Sequence, residues 1–107
     1  MYAITWHLTN NDGFGEYGSW AGYLEDCGIT PIYQDYRDNG KIKAVGQYNK
    51  TATEMDDTVI FRTKEDWTAY SGELNGLSWK NCTAEVTAES EVASVDDHPQ
   101  AAQLTKF

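Results

Sequence analysis

Between Tyr2 and Cys27 the apolar period changes from two to 3.6, and no other feature of the chain limits its fold as tightly. Tyr2, Ile4, Trp6 and Leu8 alternate with Ala3, Thr5, His7 and Thr9. Side chains two apart share one face of a strand, so this run predicts a strand with one apolar face. Turn residues follow, and then Tyr17, Trp20, Ala21, Leu24 and Cys27 fall at i, i+3, i+4, i+7 and i+10. That stripe predicts a helix over 16–27, ended by Gly28 with Pro31 close behind. A strand followed at once by an amphipathic helix points to a mixed architecture.

The rest of the chain extends the pattern. Ile32 to Arg37 and Lys41 to Tyr48 read as a hairpin around Asp38-Asn39-Gly40. A three-residue loop with Gly40 left-handed sorts its faces best. It groups Ile32, Gln34 and Tyr36 with Ile42, Ala44 and Gly46, and sets Asp35 opposite Lys43 and Tyr33 opposite Val45. Residues 50–57 read as a polar loop and Thr58 to Arg62 as a short strand. Thr63 is placed to cap a second helix, with Asp66 three residues on. The inner stripe of that helix is Trp67, Tyr70, Ser71 and Leu74, and Asn75-Gly76 ends it. Leu77 to Thr87 reads as a last strand. The expected class is α+β, ferredoxin-like, βαββ(β)αβ: an antiparallel sheet with two helices on one face. By fold analogy the other face is covered by a second copy of the chain.

Two units are expected: a compact domain over 1–87 and an acidic tail over 88–107. The tail carries Glu89, Glu91, Asp96 and Asp97, and could close in a short docked helix starting at Pro99. The start of the chain has neither a basic leader nor a long apolar run, so a cytoplasmic location is the expectation. Cys27 and Cys82 are too few for a disulfide framework and fit no zinc spacing. They read as small, buried apolar residues, with a single disulfide between them as the lesser alternative.

Charge narrows the partners. Seventeen acidic residues against eight basic give a net charge of −9, which repels phosphate backbones and anionic membranes alike. A basic protein surface, or a small ligand in an interior pocket, remains compatible. Gly13, Gly15 and Gly18 spell G-x-G-x-x-G, with Asp35 near the position of the ribose-binding acid. However, Asp12 and Glu16 flank the place a pyrophosphate would occupy, and the following strand enters a hairpin rather than a crossover. No dinucleotide cofactor is expected. The stretch from Asp35 to Gly40 resembles a calcium loop, but Arg37 and Gly46 stand where ligands belong. His98 reads as a polar tail residue and no metal site is expected.

Two function classes follow, neither with an assembled catalytic motif. In the first, an acidic non-enzymatic domain presents Glu54, Asp56, Asp57, Glu65 and Asp66 to a basic protein, as inhibitors that imitate nucleic acid do. In the second, a dimeric ferredoxin-like module of ligand-binding or monooxygenase type holds a small organic molecule among Trp6, His7, Trp20, Tyr23, Tyr33 and Tyr36. A structural subunit of a larger assembly is the third.

Overall fold

The structure is a computed structural model that describes residues 1–11, 19–79 and 82–107. The glycine-rich G-x-G-x-x-G stretch lies outside the described residues. The elements are β1 (Tyr2–Asn10), α1 (Trp20–Asp26), α2 (Ile29–Asp38), β2 (Ile42–Tyr48), β3 (Glu54–Phe61), α3 (Lys64–Asn75), β4 (Cys82–Glu91) and β5 (Thr105–Lys106). One sheet in the order β4-β1-β3-β2-β5 carries all five strands, each pair antiparallel. The α+β class and the antiparallel sheet stand as expected.

One stretch misplaced from sequence is Ile32 to Arg37, which is helical and not the first arm of a hairpin; another is the start of the last strand, expected at Leu77, since residues 77–79 are not strand and β4 begins at Cys82. Ile29, Ile32, Tyr33 and Tyr36 fall at i, i+3, i+4 and i+7, a helical stripe hidden by Pro31. A proline in the first turn costs a helix little, because that turn's N–H groups have no intrahelical acceptor. Gly40 is left-handed at φ 71°, but it closes this helix rather than a hairpin. Its N–H reaches Arg37 O at 3.0 Å and Lys41 N–H reaches Tyr36 O at 2.9 Å, the paired bonds of a Schellman ending. Gly28, at φ 95°, turns α1 into α2, so one crossover carries two short helices. β2 pairs with β3 instead, Val45 opposite Val59 and Gln47 opposite Asp57.

α3 starts as its cap predicts: Thr63 Oγ1 accepts from Asp66 N–H at 3.1 Å. Between the helices and the sheet lies an aromatic core. Trp6 stacks on Trp67 with ring centroids 5.7 Å apart, and Tyr36 meets Tyr70 edge-on at 5.0 Å. Ring pairs of this kind add to the area they bury.

The chain passes Thr87 without a break, since β4 runs on to Glu91. Two 3₁₀ turns then carry residues 95–103 across the sheet face opposite the helices, and no α-helix starts at Pro99. Val95 is buried against Ala3, Ala44 and Ile60, with Val92 and Leu104 packed beside them. Gly46 permits this crossing, because a Cβ there would lie 2.3 Å from Gln103 O. β5 then covers the outer edge of β2.

Candidate functional site

β3 places consecutive carboxylates on opposite faces of the sheet. Its sequence is Glu54-Met55-Asp56-Asp57-Thr58-Val59-Ile60-Phe61, and Met55, Val59 and Phe61 belong to the helix-side core. By the period of two, Asp57 belongs with them, while Glu54 and Asp56 face the other way. Residues 54–57 are therefore strand rather than loop. The acid at a core-facing position masks the alternation that would have revealed it.

On the face away from the helices, Asp56 accepts from Asn49 Nδ2 at 2.8 Å and pairs with His7 Nδ1 at 2.7 Å. Glu54 meets the other ring nitrogen, Nε2, at 3.1 Å. An imidazole between two carboxylates donates from both nitrogens, which requires the cation. Hydrogen bonds to Asp56 and then Glu54 hold the His7 pKa above its ordinary value. Those from Asn49 and then His7 hold the Asp56 carboxyl below its own. Hydroxyls of Thr5, Thr58 and Tyr48 continue this polar layer at 2.7 and 2.8 Å.

On the helix side lies a cavity of about 380 Å³, bounded by α1, α2, β2 and β3. Val59 and Tyr70 are buried in its floor, and Ala21, Glu25 and Gln47 stand exposed at its rim. Asp57 and Tyr33, both partly buried, line it between rim and floor. The Asp57 carboxylate makes no hydrogen bond or ion pair among the described residues, although Lys50 lies near enough to act on it through space. Loss of water around its carboxyl pushes the pKa up to about 7, and Lys50 offsets only part of that rise. Burial also raises Tyr33 and Tyr70; Arg37 works against the rise at Tyr33.

The five expected partner-binding acids do not share a face. Glu54 and Asp56 serve His7, and Asp57 opens into the cavity. Glu65 and Asp66 start α3, where Asp66 pairs with Arg62 at 3.0 Å. Acids in the first turn favour the helix dipole, which accounts for both. Of the six expected pocket residues, only Tyr33 lines the cavity. Trp6 and Tyr36 are core, and His7 is on the far face of the sheet. Trp20 donates its indole N–H to Thr51 O at 2.9 Å and Tyr23 its hydroxyl to Trp79 O at 3.0 Å, so both tie α1 down. His98 is a turn residue whose Nδ1 accepts from Gln100 N–H at 3.0 Å. Gln47 and Glu25 escaped the sequence reading, since nothing local marks either as facing a cavity.

Among the described residues no group of His, Cys, Asp and Glu side chains is arranged to hold a metal ion, and no helix is long and apolar enough to cross a membrane. Cys27 and Cys82 are free thiols, both raised in pKa by burial. No family model and no curated protein matches the chain. A solved structure that resembles it is a dimeric ferredoxin-like protein from an uncultured marine organism. That likeness has a TM-score of 0.53 at 9% identity and covers 88% of this chain and 96% of that one. At this identity it shows the fold alone.

Proposed function

We propose that this chain is a small-molecule-binding domain whose ligand occupies the cavity between the sheet and the α1–α2 pair. The observation that carries this is Asp57. A partly buried carboxyl short of water and left without a hydrogen-bonding partner is costly beside a core, and such groups gather where a ligand or a reaction needs them. The cavity, at about 380 Å³, is within the size range of ligand pockets, roughly 300–1,000 Å³. With a pKa near neutrality, Asp57 is suited to exchange a proton with whatever it holds. The basic-partner reading keeps the net charge of −9 in its support but loses its common acidic face.

The test is an NMR titration with a set of small aromatic fragments. Ligands are expected to shift the signals of Tyr33, Gln47 and Thr30, and to lose that effect in Ala21→Trp, which fills the rim. A fragment set that leaves these signals in place would end the proposal.

A second copy of the chain belongs to the same reading, supported by the dimeric state given for the structural neighbour. β4 offers the place. Thr83 to Glu91 are exposed, and no described strand pairs with the outer edge. Val86 is 45% exposed beside a shallow groove that Trp6, Trp67 and Trp79 line. Light scattering is expected to give twice the chain mass, reduced to one by Val86→Lys. A single-chain mass for the unaltered protein at every concentration removes this part.

A further inference from the structure

We propose that the ligand of the helix-side cavity is an organic cation, a protonated amine carried on a compact apolar body. This rests on the pocket reading above and adds the charge of the occupant. The cavity wall holds two carboxylates, Asp57 within and Glu25 at the rim, and neither lysine nor arginine is among its lining residues. No side chain among the described residues bonds the Asp57 carboxylate, and Lys50 acts on it only through space, so the contact counter-charge is left for an occupant to supply. An anion entering here would meet both acids inside a molecule of net charge −9.

The remaining wall suits a cation as well. Two aromatic residues, Tyr33 and Tyr70, line the cavity, and aromatic rings attract positive charge over their faces. Tyr33 already does so for Arg37, whose guanidinium carbon lies 5.6 Å from its ring centroid. Val45, Val59 and Leu24 give the apolar body its contacts. A neutral ligand could take a hydrogen bond from Asp57 only while that carboxyl keeps its proton.

Protonation therefore governs the site. The charged and titratable groups around Asp57 are Lys50 from the β2–β3 connection, Tyr33 on α2 and Tyr70 on α3, which interact with it electrostatically, and Glu25 on α1, which shares the cavity lining; Tyr36 and Glu73 act in turn on Tyr70. Both tyrosines are raised in pKa and stay neutral, so Asp57 is the cavity group that changes charge near neutrality. A cation needs the ionised carboxylate. Its affinity should rise about tenfold between about pH 6 and pH 8, and binding should release a proton at the lower pH.

The experiment compares three probes of similar shape on the full chain by NMR titration: 2-phenylethylamine, 2-phenylethanol and 3-phenylpropanoate. The amine is expected to shift Tyr33 and Tyr70 signals and to bind about tenfold more tightly than the alcohol near pH 8. The propanoate should leave them unmoved. Asp57→Asn should abolish the preference and the pH dependence while keeping the weak alcohol binding. If the alcohol binds as tightly as the amine, the cation assignment falls and the pocket stands. Amine binding unchanged in Asp57→Asn overturns it equally, since the acidic surface would then be the holder. If none of the three moves the cavity signals, the pocket reading falls and takes this inference with it.

Discussion

Asp56 and Asp57 are neighbours in the chain, yet the two sheet faces make them different acids. Asp56 stands in a polar layer where Asn49 and His7 donate to it, and its pKa drops. Asp57 lines a mainly apolar and aromatic cavity where no donor bonds its carboxylate, and its pKa climbs to about 7. The backbone supplies only the alternation; the environment on each face sets the chemistry. The helix face is thus a core with an unbalanced charge let into it. The opposite face is divided between a hydrogen-bonded ionic layer around His7 and a small apolar patch under the C-terminal segment.

Deleting residues 92–107 tests that division most severely. If the opposite face were polar surface throughout, the loss would be mild. Instead the deletion uncovers Ala3, Ala44 and Ile60, removes buried Val95, and bares the edge of β2. Buried Val95 contributes about 1.5–3 kcal/mol and the partly buried Leu104 and Val92 each somewhat less, so with the bared Ala3, Ala44 and Ile60 the loss is on the order of 5 kcal/mol. Urea unfolding of the truncated chain should show a greatly lowered midpoint or no cooperative transition. An unchanged midpoint would mean that the segment rests on the sheet without stabilising it.

Asp57→Asn probes the other face. The folded pKa lies above the ordinary value of 3.8, so folding takes up a proton between these two values. Stability contributed by the protonated group is present below about pH 4 and is lost as pH rises through about 7. Above that, the unaltered protein carries a penalty of up to roughly 4 kcal/mol, at about 1.36 kcal/mol per pKa unit. The variant should therefore be the more stable of the two near pH 8, with the gap closing towards pH 4. Parallel stability–pH curves for both proteins would show that Asp57 is well solvated and that the contrast with Asp56 is false.

Much of this frame was legible because one period repeated without interruption. Tyr2, Ile4, Trp6 and Leu8 are all buried, and Thr63 caps the helix that its position predicts. Misreadings arose where one residue broke a period for a local reason. Pro31 disguised α2, and Asp57 disguised the first half of β3. The second disguise coincides with the candidate site, as expected where a core position is given to an acid. The five acids grouped by closeness in sequence were scattered by the pleat and by the helix start. No sequence signal marks which exposed side chains share a cavity rim, because Glu25 and Gln47 come from elements whose spacing only the packed fold decides.

His7 offers the smallest effect and the finest test of the contrast between the faces. Its pKa is raised by Asp56 and Glu54, so the stability it adds is complete below its ordinary 6.5 and fades as pH rises through the folded value. Asp56 is lowered, so its share persists above 3.8 and fades only as pH falls through its own folded value. The pair therefore works between those limits. At a third exposed, His7 is well screened by water, and an ion pair of this kind adds about 0.2–1 kcal/mol. His7→Gln should lower the urea midpoint slightly near pH 6 and leave it unchanged near pH 9. In the unaltered protein, NMR titration of the ring should give a pKa above 6.5, and Asp56→Asn should move it down. If Asp56→Asn leaves the ring pKa unmoved, Asp56 is not the partner that charges His7, and the balance on that face lies elsewhere.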